Sequence, residues 1–220
     1  MGIAVRRPPA FPPARRATPE GVIAVGGMPD PETLKAAYSR GIFPWPHEGL
    51  PLLWFCPDPR FALVPREAHL ARSLRKRMRR GTYEVRADTA FAAVIRACAA
   101  RPRPGQDGTW ITPEIVAGYT ALHREGLAHS IEAWREGRLV GGLYGVHLGS
   151  AFFGESMFHT ETDASKVALV ALVERLRANG FTLLDTQWIT PHLAQFGAIE
   201  IPKAEYLERL TQAIAQRASF

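Results

Sequence analysis

The chain has 220 residues, of which 46% are hydrophobic and 22% are charged, a composition typical of a globular protein with a sizeable core. Its net charge is +6, and it contains only two cysteines, Cys56 and Cys98, which lie far apart in the sequence. These features argue against a disulfide framework and against a structural zinc site. The cysteine usage fits a reducing cytoplasm, and the seven scattered histidines predict no metal site. No apolar run approaches the roughly 18–20 residues that span a bilayer.

The first 62 residues divide into two parts by composition. Residues 1–18 are rich in proline and arginine, which predicts a flexible arm because such a segment cannot build a core. Residues 19–62 are rich in aromatic residues and proline and predict a small N-terminal α/β domain. Within it, Asp30 followed by Pro31 predicts the capped start of a helix, since Asp accepts backbone hydrogen bonds and Pro fits the first helical position.

Residues 63–220 alternate between helical and strand patterns and predict a second, larger catalytic domain. Short turns between the central strands favour antiparallel hairpins. The predicted elements are a basic helix at 68–80, a strand at 83–86, a helix capped by Asp88, a helix capped by Thr112, strands at 128–134, 139–146 and 151–158, a helix after Asp163, a strand at 181–187 and a helix at 204–218. This order predicts an α/β (α+β) fold with a mixed, mainly antiparallel sheet flanked by helices, and it resembles the acyl-CoA N-acyltransferase (GNAT-like) superfamily.

The predicted basic helix carries six cations within nine residues. Like charges on a helix repel each other, and a polyanionic partner would relieve that repulsion and release counterions. We interpret the run as a phosphate-binding surface, although an ordinary solvated helix face gives the same pattern. The run does not by itself distinguish RNA, DNA and membrane. Its cations are Arg72, Arg75, Lys76, Arg77, Arg79 and Arg80.

Two of the following six sequence blocks place acidic and amide groups among apolar residues, which is costly unless those groups are paired or functional. The blocks are Arg-Gly-Ile-Phe-Pro-Trp (40–45), Gly-Thr-Trp-Ile (108–111), Gly-Gly-Leu-Tyr-Gly-Val (141–146), Phe-Phe-Gly-Glu-Ser-Met-Phe (152–158), Ala-Ser-Lys (164–166) and Leu-Leu-Asp-Thr-Gln (183–187). In this order they resemble the leucyl/phenylalanyl-tRNA–protein transferase family. The resemblance extends over about residues 21–206.

The resemblance implies an aminoacyltransferase. Such an enzyme moves Leu or Phe, and less well Met, from aminoacyl-tRNA to the N-terminal α-amine of proteins that start with Arg or Lys, which marks those proteins for N-end-rule degradation. The ester of aminoacyl-tRNA is already activated, and an α-amine has a pKa of roughly 7.7–8.0, so we expect no cofactor. The expected partners are aminoacyl-tRNA and acceptor proteins, without a membrane, and the protein is expected to be a monomer.

By the resemblance, the chemistry lies on Asp185, Gln187 and Glu155. Asp185 and Gln187 are two residues apart on a predicted strand and are expected to face the same side. Gln187 would contact the reacting centre, while Asp185 would orient it and relay the amine proton. A buried polar pair that only braces the strand is the alternative.

Glu155 is predicted to share a strand face with Phe153 and Met157. There it would attract the ammonium group or the cationic first side chain of an acceptor. The alternative for Glu155 is a salt bridge to Lys166.

The resemblance also implies two binding regions. The transferred side chain needs an apolar pocket, in which a methionine can adapt to different guests, and the terminal adenosine of the tRNA can stack on aromatic rings, at roughly 1–3 kcal/mol per base. By periodicity alone the pocket residues are ordinary core residues. The pocket residues are Leu143, Met157, Leu169 and Leu172, and the candidates for the adenosine are Trp45, Trp110 and Phe152 or Phe153.

Three other functions fit parts of the sequence. A CoA-dependent N-acetyltransferase needs a glycine-containing pyrophosphate loop, but residues 159–165 contain no glycine and two acids. A non-catalytic RNA-binding protein would leave the polar groups on the strands without a role. A related leucyltransferase acts on proteins that start with Asp or Glu, but the blocks in residues 141–187 fit the Arg/Lys family better.

Overall fold

The computed structural model describes residues 10–101, 109–188 and 191–220, without the side chains of Arg77, Arg79, Pro191 and His192. Within these residues the chain forms ten strands in two sheets. The strands are β1 (Val22–Val25), β2 (Phe43–Pro44), β3 (Leu53–Phe55), β4 (Arg60–Leu63), β5 (Glu84–Ala87), β6 (Ala128–Arg135), β7 (Arg138–Leu148), β8 (Ala151–His159), β9 (Leu183–Gln187) and β10 (Ile199–Ile201).

Helices of the same described part of the chain surround the sheets. They are α1 (Pro31–Tyr38), α2 (Arg72–Arg79), α3 (Phe91–Ala99), α4 (Pro113–Arg124), α5 (Ala164–Ala178), α6 (Pro191–Ala194) and α7 (Lys203–Ala215). Two predicted caps are confirmed, because Asp30 Oδ1 accepts from Thr33 N at 3.0 Å and Thr112 Oγ1 accepts from Ile115 N at 3.4 Å.

The two sheets differ in size. The small sheet has the order β1-β3-β2, and the large one has the order β10-β4-β9-β8-β7-β6-β5. Every described strand pair is antiparallel except β8 and β9, which run parallel. The predicted mixed, mainly antiparallel α/β architecture is confirmed, whereas the likeness to the acyl-CoA N-acyltransferase fold stays a prediction.

The structure differs from the predicted division of the N-terminal region into an arm and a separate small domain. The boundary predicted after residue 62 falls inside β4, a strand of the large sheet. The flexible arm predicted at 1–18 is wrong for residues 10–18: Phe11 is buried with its ring centroid 5.0 Å from that of Trp54, and Arg40 donates to the Phe11 carbonyl at 2.6 Å. Residues 1–9 lie outside the described residues.

Two hydrophobic cores lie on opposite faces of the large sheet. Phe152 and Phe153 are neighbours on β8 and therefore point to opposite faces, and each is fully buried in a different core. The Phe153 core contains residues of α1, α3, α4, α7 and the small sheet. The Phe152 core is built mainly from α5, with α2 packed against it.

A carboxylate of the sheet, rather than the predicted local one, caps α3. Asp88 does not bond to the helix; the Ala90 N–H donates instead to Glu132 Oε1 at 2.8 Å. Asp88 accepts from the Ser130 N–H at 2.8 Å and lies 2.7 Å from His129 Nδ1. The cap prediction was wrong because a neighbouring strand supplies the acceptor.

The basic helix α2 is shorter than the predicted 68–80. Ala68 and Leu70 are buried and the His69 N–H donates to Phe196 O at 2.8 Å, so this stretch is held by tertiary contacts instead of by helix. The sequence run lacks acids, but the fold supplies one: Arg75 Nε lies 3.5 Å from Glu174 Oε1 on α5.

Three of the predicted phosphate-binding cations, Arg72, Lys76 and Arg80, are exposed and follow each other at four-residue spacing, which places them along one side of the helix. We call these three residues the basic stripe. The side chains of Arg77 and Arg79 lie outside the described residues.

Candidate active site

A cavity opens where β8 and β9 separate. Their parallel pairing runs from Ala151 and Leu183 to Phe153 and Asp185, and the residues that follow on both strands line a cavity of about 450 Å³. The space between the two separated strands therefore forms a site that side chains from both hydrophobic cores can reach. The lining residues are Phe43, Pro44, Trp45, Trp110, Leu143, Tyr144, Gly154, Glu155, Ser156, Met157, Leu169, Leu172, Leu184, Thr186, Trp188 and Leu193.

One part of the cavity wall is apolar. The four residues assigned by resemblance to the amino-acid pocket, Leu143, Met157, Leu169 and Leu172, all line it, and Leu184 and Leu193 add to the same wall. Leu143, Leu169 and Leu172 are also nearly fully buried. The structure thus brings the predicted pocket residues together, while their role in selecting an amino acid stays a prediction.

Aromatic rings form another part of the wall. Trp45 and Trp110 line the cavity as predicted for an adenosine contact, and Trp188, which the sequence analysis missed, lies with its ring centroid 4.1 Å from that of Trp45. The prediction for Phe152 and Phe153 is wrong, because both rings are 0% exposed inside the two cores and offer no face to a base.

A β-bulge in β8 sets the position of Glu155. Tyr144 pairs with Ser156, but the next residue of β7, Gly145, pairs with Gly154, so Glu155 is an extra residue without a partner across the ladder. Gly145 permits this close approach, since a Cβ at that position would lie 2.3 Å from the Phe153 carbonyl oxygen. Bulges of this kind re-aim a side chain, and they are frequent beside active sites.

The bulge also inverts the side-chain alternation of β8. Before it, Phe152 belongs to the α5 core and Phe153 to the other core; after it, Met157 packs on the α5 core and Phe158 on the other. Glu155 contacts Tyr38 on the Phe153 side. The predicted common face of Glu155 and Met157 is therefore wrong, although both residues line the same cavity.

Hydrogen bonds hold the Glu155 carboxylate from three sides. Tyr38 donates to Oε1 at 2.7 Å, Tyr119 donates to Oε2 at 3.1 Å and Gln187 Nε2 donates to Oε1 at 3.2 Å. The alternative salt bridge to Lys166 is wrong, because the Lys166 ammonium lies 3.0 Å from Asp163 instead. Burial raises the pKa of Glu155 to about 7, although the two tyrosine hydrogen bonds act in the opposite direction.

Asp185 lies behind the cavity, in a fully buried ion pair. Arg60 Nε donates to Oδ1 at 2.9 Å and Arg60 Nη2 donates to Oδ2 at 2.6 Å, with both side chains 0% exposed. Tyr206 donates to Oδ2 at 2.7 Å, and the rings of Phe43 and Tyr206 cover the guanidinium carbon at 4.6 and 4.7 Å. The Asp185 oxygens are thus fully buried and do not line the cavity, and the predicted part of Asp185 in orienting the site and relaying the amine proton stays a prediction.

Gln187 connects this ion pair to Glu155. Its backbone N–H donates to Asp185 Oδ1 at 2.8 Å, and its φ of 56° is in the left-handed region that non-glycine residues seldom adopt. The β4–β9 register shifts between Asp185 and Gln187, so that Thr186 is bulged and lines the cavity. Backbone strain of this kind clusters at functional sites, and here it aims the Gln187 amide at Glu155.

Comparisons with known proteins identify the family of the chain. The sequence pattern of the family described as leucyl/phenylalanyl-tRNA protein transferase matches residues 62–211, and that of the N-terminal domain of the same family matches residues 27–58. The chain belongs to this family. As a member of it, the protein is an enzyme, an aminoacyltransferase.

The sequence similarity to individual relatives extends over nearly the whole chain. A leucyl/phenylalanyl-tRNA–protein transferase of Myxococcus xanthus is 58% identical over 95% of this chain and 89% of its own length. The protein of that name from Stutzerimonas stutzeri is 56% identical over 91% of this chain and 89% of its own length. Among solved structures, L-PGS from Bacillus licheniformis has a TM-score of 0.40 and 10% identity over 71% of this chain and 50% of its own.

Two further observations concern the described residues alone. Within residues 10–101, 109–188 and 191–220, no three His, Cys, Asp or Glu side chains are grouped so that they could hold a metal ion. In the same ranges, every helix is too short or too polar to cross a bilayer.

The sequence analysis did not assign Arg60, Tyr38, Tyr119 or Tyr206 to the site. Arg60 precedes the apolar residues of β4, and a lone arginine at the start of a buried strand is a signal for a paired charge. The tyrosines leave no such signal, because each of them fits the apolar stripe of its helix.

We predict that Asp185→Ala lowers the free energy of unfolding by about 3–5 kcal/mol, because it leaves the Arg60 guanidinium buried and uncompensated. Urea denaturation measures this loss. Glu205→Ala is the control, since its partner Arg209 is partly exposed and the loss should be much smaller. An Asp185→Ala protein as stable as the wild type would show that the buried pair does not hold the site.

Proposed function

We propose that the protein transfers Leu or Phe, and less well Met, from aminoacyl-tRNA to the N-terminal α-amine of proteins that start with Arg or Lys. The product carries a new peptide bond and is marked for N-end-rule degradation. The observation that carries the proposal is a cavity that joins an apolar wall to the Glu155 carboxylate, in a chain of this transferase family. The apolar wall fits a Leu or Phe side chain, and the carboxylate attracts an ammonium group or a cationic first residue.

Glu155 is suited to accept the proton that this reaction releases. When the α-amine attacks the ester carbonyl, the nitrogen becomes cationic and must lose a proton before the ester C–O bond breaks. A carboxylate whose pKa is about 7 lies within about a unit of an ordinary α-amine. Glu155 then returns the proton to the ribose oxygen that leaves.

Gln187 and Asp185 have different roles in this proposal. The Gln187 amide has two N–H donors, of which one bonds to Glu155, and we assign the other to the oxyanion that would form on the carbonyl. Asp185 is a positioning residue, because it holds the Gln187 backbone and does not reach the cavity. The aromatic wall of Trp45, Trp110 and Trp188 would stack on the terminal adenosine.

The remaining parts of the proposal rest on the chemistry and the order of the elements. An activated ester and an amine react without a redox or metal cofactor, so we assign none. The cations of α2 would contact tRNA phosphates without reading sequence. The acyl-CoA N-acyltransferase-like fold, the cytoplasmic location and the monomeric state belong to the same proposal.

One assay tests the function directly. Purified protein is incubated with labelled Leu-tRNA and with peptides that start with Arg, Lys, Asp or Ala. Label should enter only the Arg and Lys peptides. Transfer to the Asp peptide would establish the related leucyltransferase instead, and acetylation of a peptide by acetyl-CoA without tRNA would establish the acetyltransferase.

We predict that Met157→Ala moves the preference from Leu towards Phe, because the shortened side chain enlarges the apolar wall. The Leu:Phe ratio of kcat/KM should fall by about tenfold or more, as expected for one or two methylene groups in a pocket. Competition between Leu-tRNA and Phe-tRNA measures the ratio. The control is Leu122→Ala, which truncates a buried residue of α4 and should lower stability without changing the Leu:Phe ratio. If the Met157→Ala and Leu122→Ala variants have the same Leu:Phe ratio, Met157 does not belong to the pocket.

We predict that the triple variant Arg72→Ala, Lys76→Ala and Arg80→Ala weakens tRNA binding and flattens its salt dependence. Loss of up to three phosphate contacts reduces the slope of log K against log salt by about two to three units. The binding of labelled tRNA at several salt concentrations measures the slope. A control with the same charge change replaces three exposed arginines elsewhere in the chain, Arg96, Arg124 and Arg217. An equal effect there would show that only net charge matters.

A further inference from the structure

Two buried tyrosines from separate helices meet at the bulged glutamate. Tyr38 is the last residue of α1, Tyr119 lies on α4, and both are 0% exposed. Their hydroxyls contact each other, and each donates to one oxygen of Glu155, at 2.7 Å from Tyr38 and 3.1 Å from Tyr119. Three oxygen-bearing groups thus form a closed ring of contacts at the cavity wall.

The number of protons in the ring decides how many of its contacts are hydrogen bonds. With Glu155 ionised, the two hydroxyl protons both go to the carboxylate, and no proton is left for the contact between the tyrosines. With Glu155 protonated, three protons serve three contacts, so every group donates once and accepts once. Burial, followed by the charge of Glu155, raises the pKa of both tyrosines well above the ordinary value, so neither loses its own proton.

We propose that Tyr38 and Tyr119 are positioning residues for the transfer reaction, which hold the Glu155 carboxylate towards the substrate and complete a ring of three hydrogen bonds when it takes the amine proton. This inference rests on the proposed function. The C–N bond forms, the ester C–O bond breaks, and the proton passes from the amine nitrogen to Glu155 and then to the leaving ribose oxygen. The ring therefore stores one proton between the two halves of the reaction.

The packing of α1 on α4 fixes the ring geometry. Gly118 of α4 allows the close approach, since a Cβ there would lie 1.9 Å from the Pro29 carbonyl oxygen. The Tyr38 ring also packs on Phe153, with 4.8 Å between the centroids. The N-terminal region thus contributes a hydroxyl that the large sheet cannot supply by itself.

Other ionisable groups lie near the ring, and the Tyr→Phe variants leave them unchanged. Arg60 lowers the pKa of Glu155 and Asp185 raises it, and these two are paired to each other. Tyr144 of β7 adjoins Tyr119 at 5.6 Å between ring centroids and lines the cavity. Because Tyr38→Phe and Tyr119→Phe leave all of these groups in place, a shift in either variant reports the lost hydroxyl.

The test measures single-turnover transfer to an Arg-starting peptide between pH 5.5 and 8.5, at saturating aminoacyl-tRNA. The wild-type rate should rise through about pH 7, where Glu155 becomes ionised. Each Tyr→Phe variant removes a hydrogen bond to the charged carboxylate, which is stronger than the neutral bonds of the completed ring, so the rise should move upwards by about one pH unit. The variant rates should then be about tenfold low at pH 6.5 and recover most of that loss at pH 8.5.

Tyr83→Phe is the matched control. The Tyr83 side chain is also buried, but its hydroxyl donates to the Thr162 carbonyl at 2.8 Å, away from Glu155. This variant loses a hydrogen bond of similar burial and should keep the wild-type pH profile. The acceptor amine titrates alike in every variant, so differences between profiles come from the enzyme.

A second measurement does not need activity. Carbon-13 NMR of glutamate-labelled protein follows the Glu155 carboxyl during a pH titration, with Glu155→Gln as the assignment control. If the Tyr→Phe variants move this titration but the wild type transfers nothing, the proposed function fails and the ring stands. If the wild type transfers Leu but the variants change neither the profile nor the titration, the ring has no such role.

Glu155→Gln provides a further test of the proposal. If either Tyr→Phe variant fails to fold, the pH profile can still be measured with the other variant, because the two residues lie on different helices. Glu155→Gln should remove most of the rate and the part of the rise near pH 7 that Glu155 causes, which leaves only the titration of the acceptor amine. A Glu155→Gln enzyme with the wild-type pH profile would overturn the proposal.

Discussion

The buried ion pair between Arg60 and Asp185 is the constraint on which the site depends. Two charges without access to water require several partners. Here Tyr206 and the Gln187 backbone donate further hydrogen bonds to the Asp185 carboxylate, and two aromatic rings cover the Arg60 guanidinium. These partners tie β4, β9 and α7 together. They also fix the backbone of β9 at the point where it separates from β8, which is the point where the cavity opens.

Beside this fixed edge the structure holds a single buried glutamate at the cavity wall. The bulge in β8 places Glu155 outside the ladder, the strained Gln187 donates to it, and two tyrosines from α1 and α4 hold its oxygens. Burial favours the neutral acid, whereas the donors favour the carboxylate, and the balance leaves the pKa of Glu155 near neutrality. The apolar wall lies beside this group, so the proposed binding of an amino-acid side chain and the proposed proton transfer share one cavity.

Much of the architecture could be predicted because it depends on nearby residues. The caps at Asp30 and Thr112 act within three residues, and the hairpins of β6, β7 and β8 follow from alternation and short turns. Where a distant group competes, local patterns mislead. A sheet carboxylate replaced Asp88 as the cap of α3, and tertiary contacts of residues 68–71 shortened the basic helix.

The sequence by itself determined the family resemblance and the types of the elements, because each leaves a pattern over a few consecutive residues, whereas the pocket residues were assigned through the resemblance. Only the tertiary structure decided that Asp185 is sealed behind the cavity, that Phe152 and Phe153 are core residues and that Glu155 has tyrosine partners. The Arg60–Asp185 pair spans 125 residues and the Tyr38–Glu155 bond spans 117. Contacts across such separations leave no periodic pattern in the nearby sequence. In addition, the single bulged residue Glu155 reverses the alternation of β8, so that the residues after it face the opposite cores from those that the sequence pattern predicts.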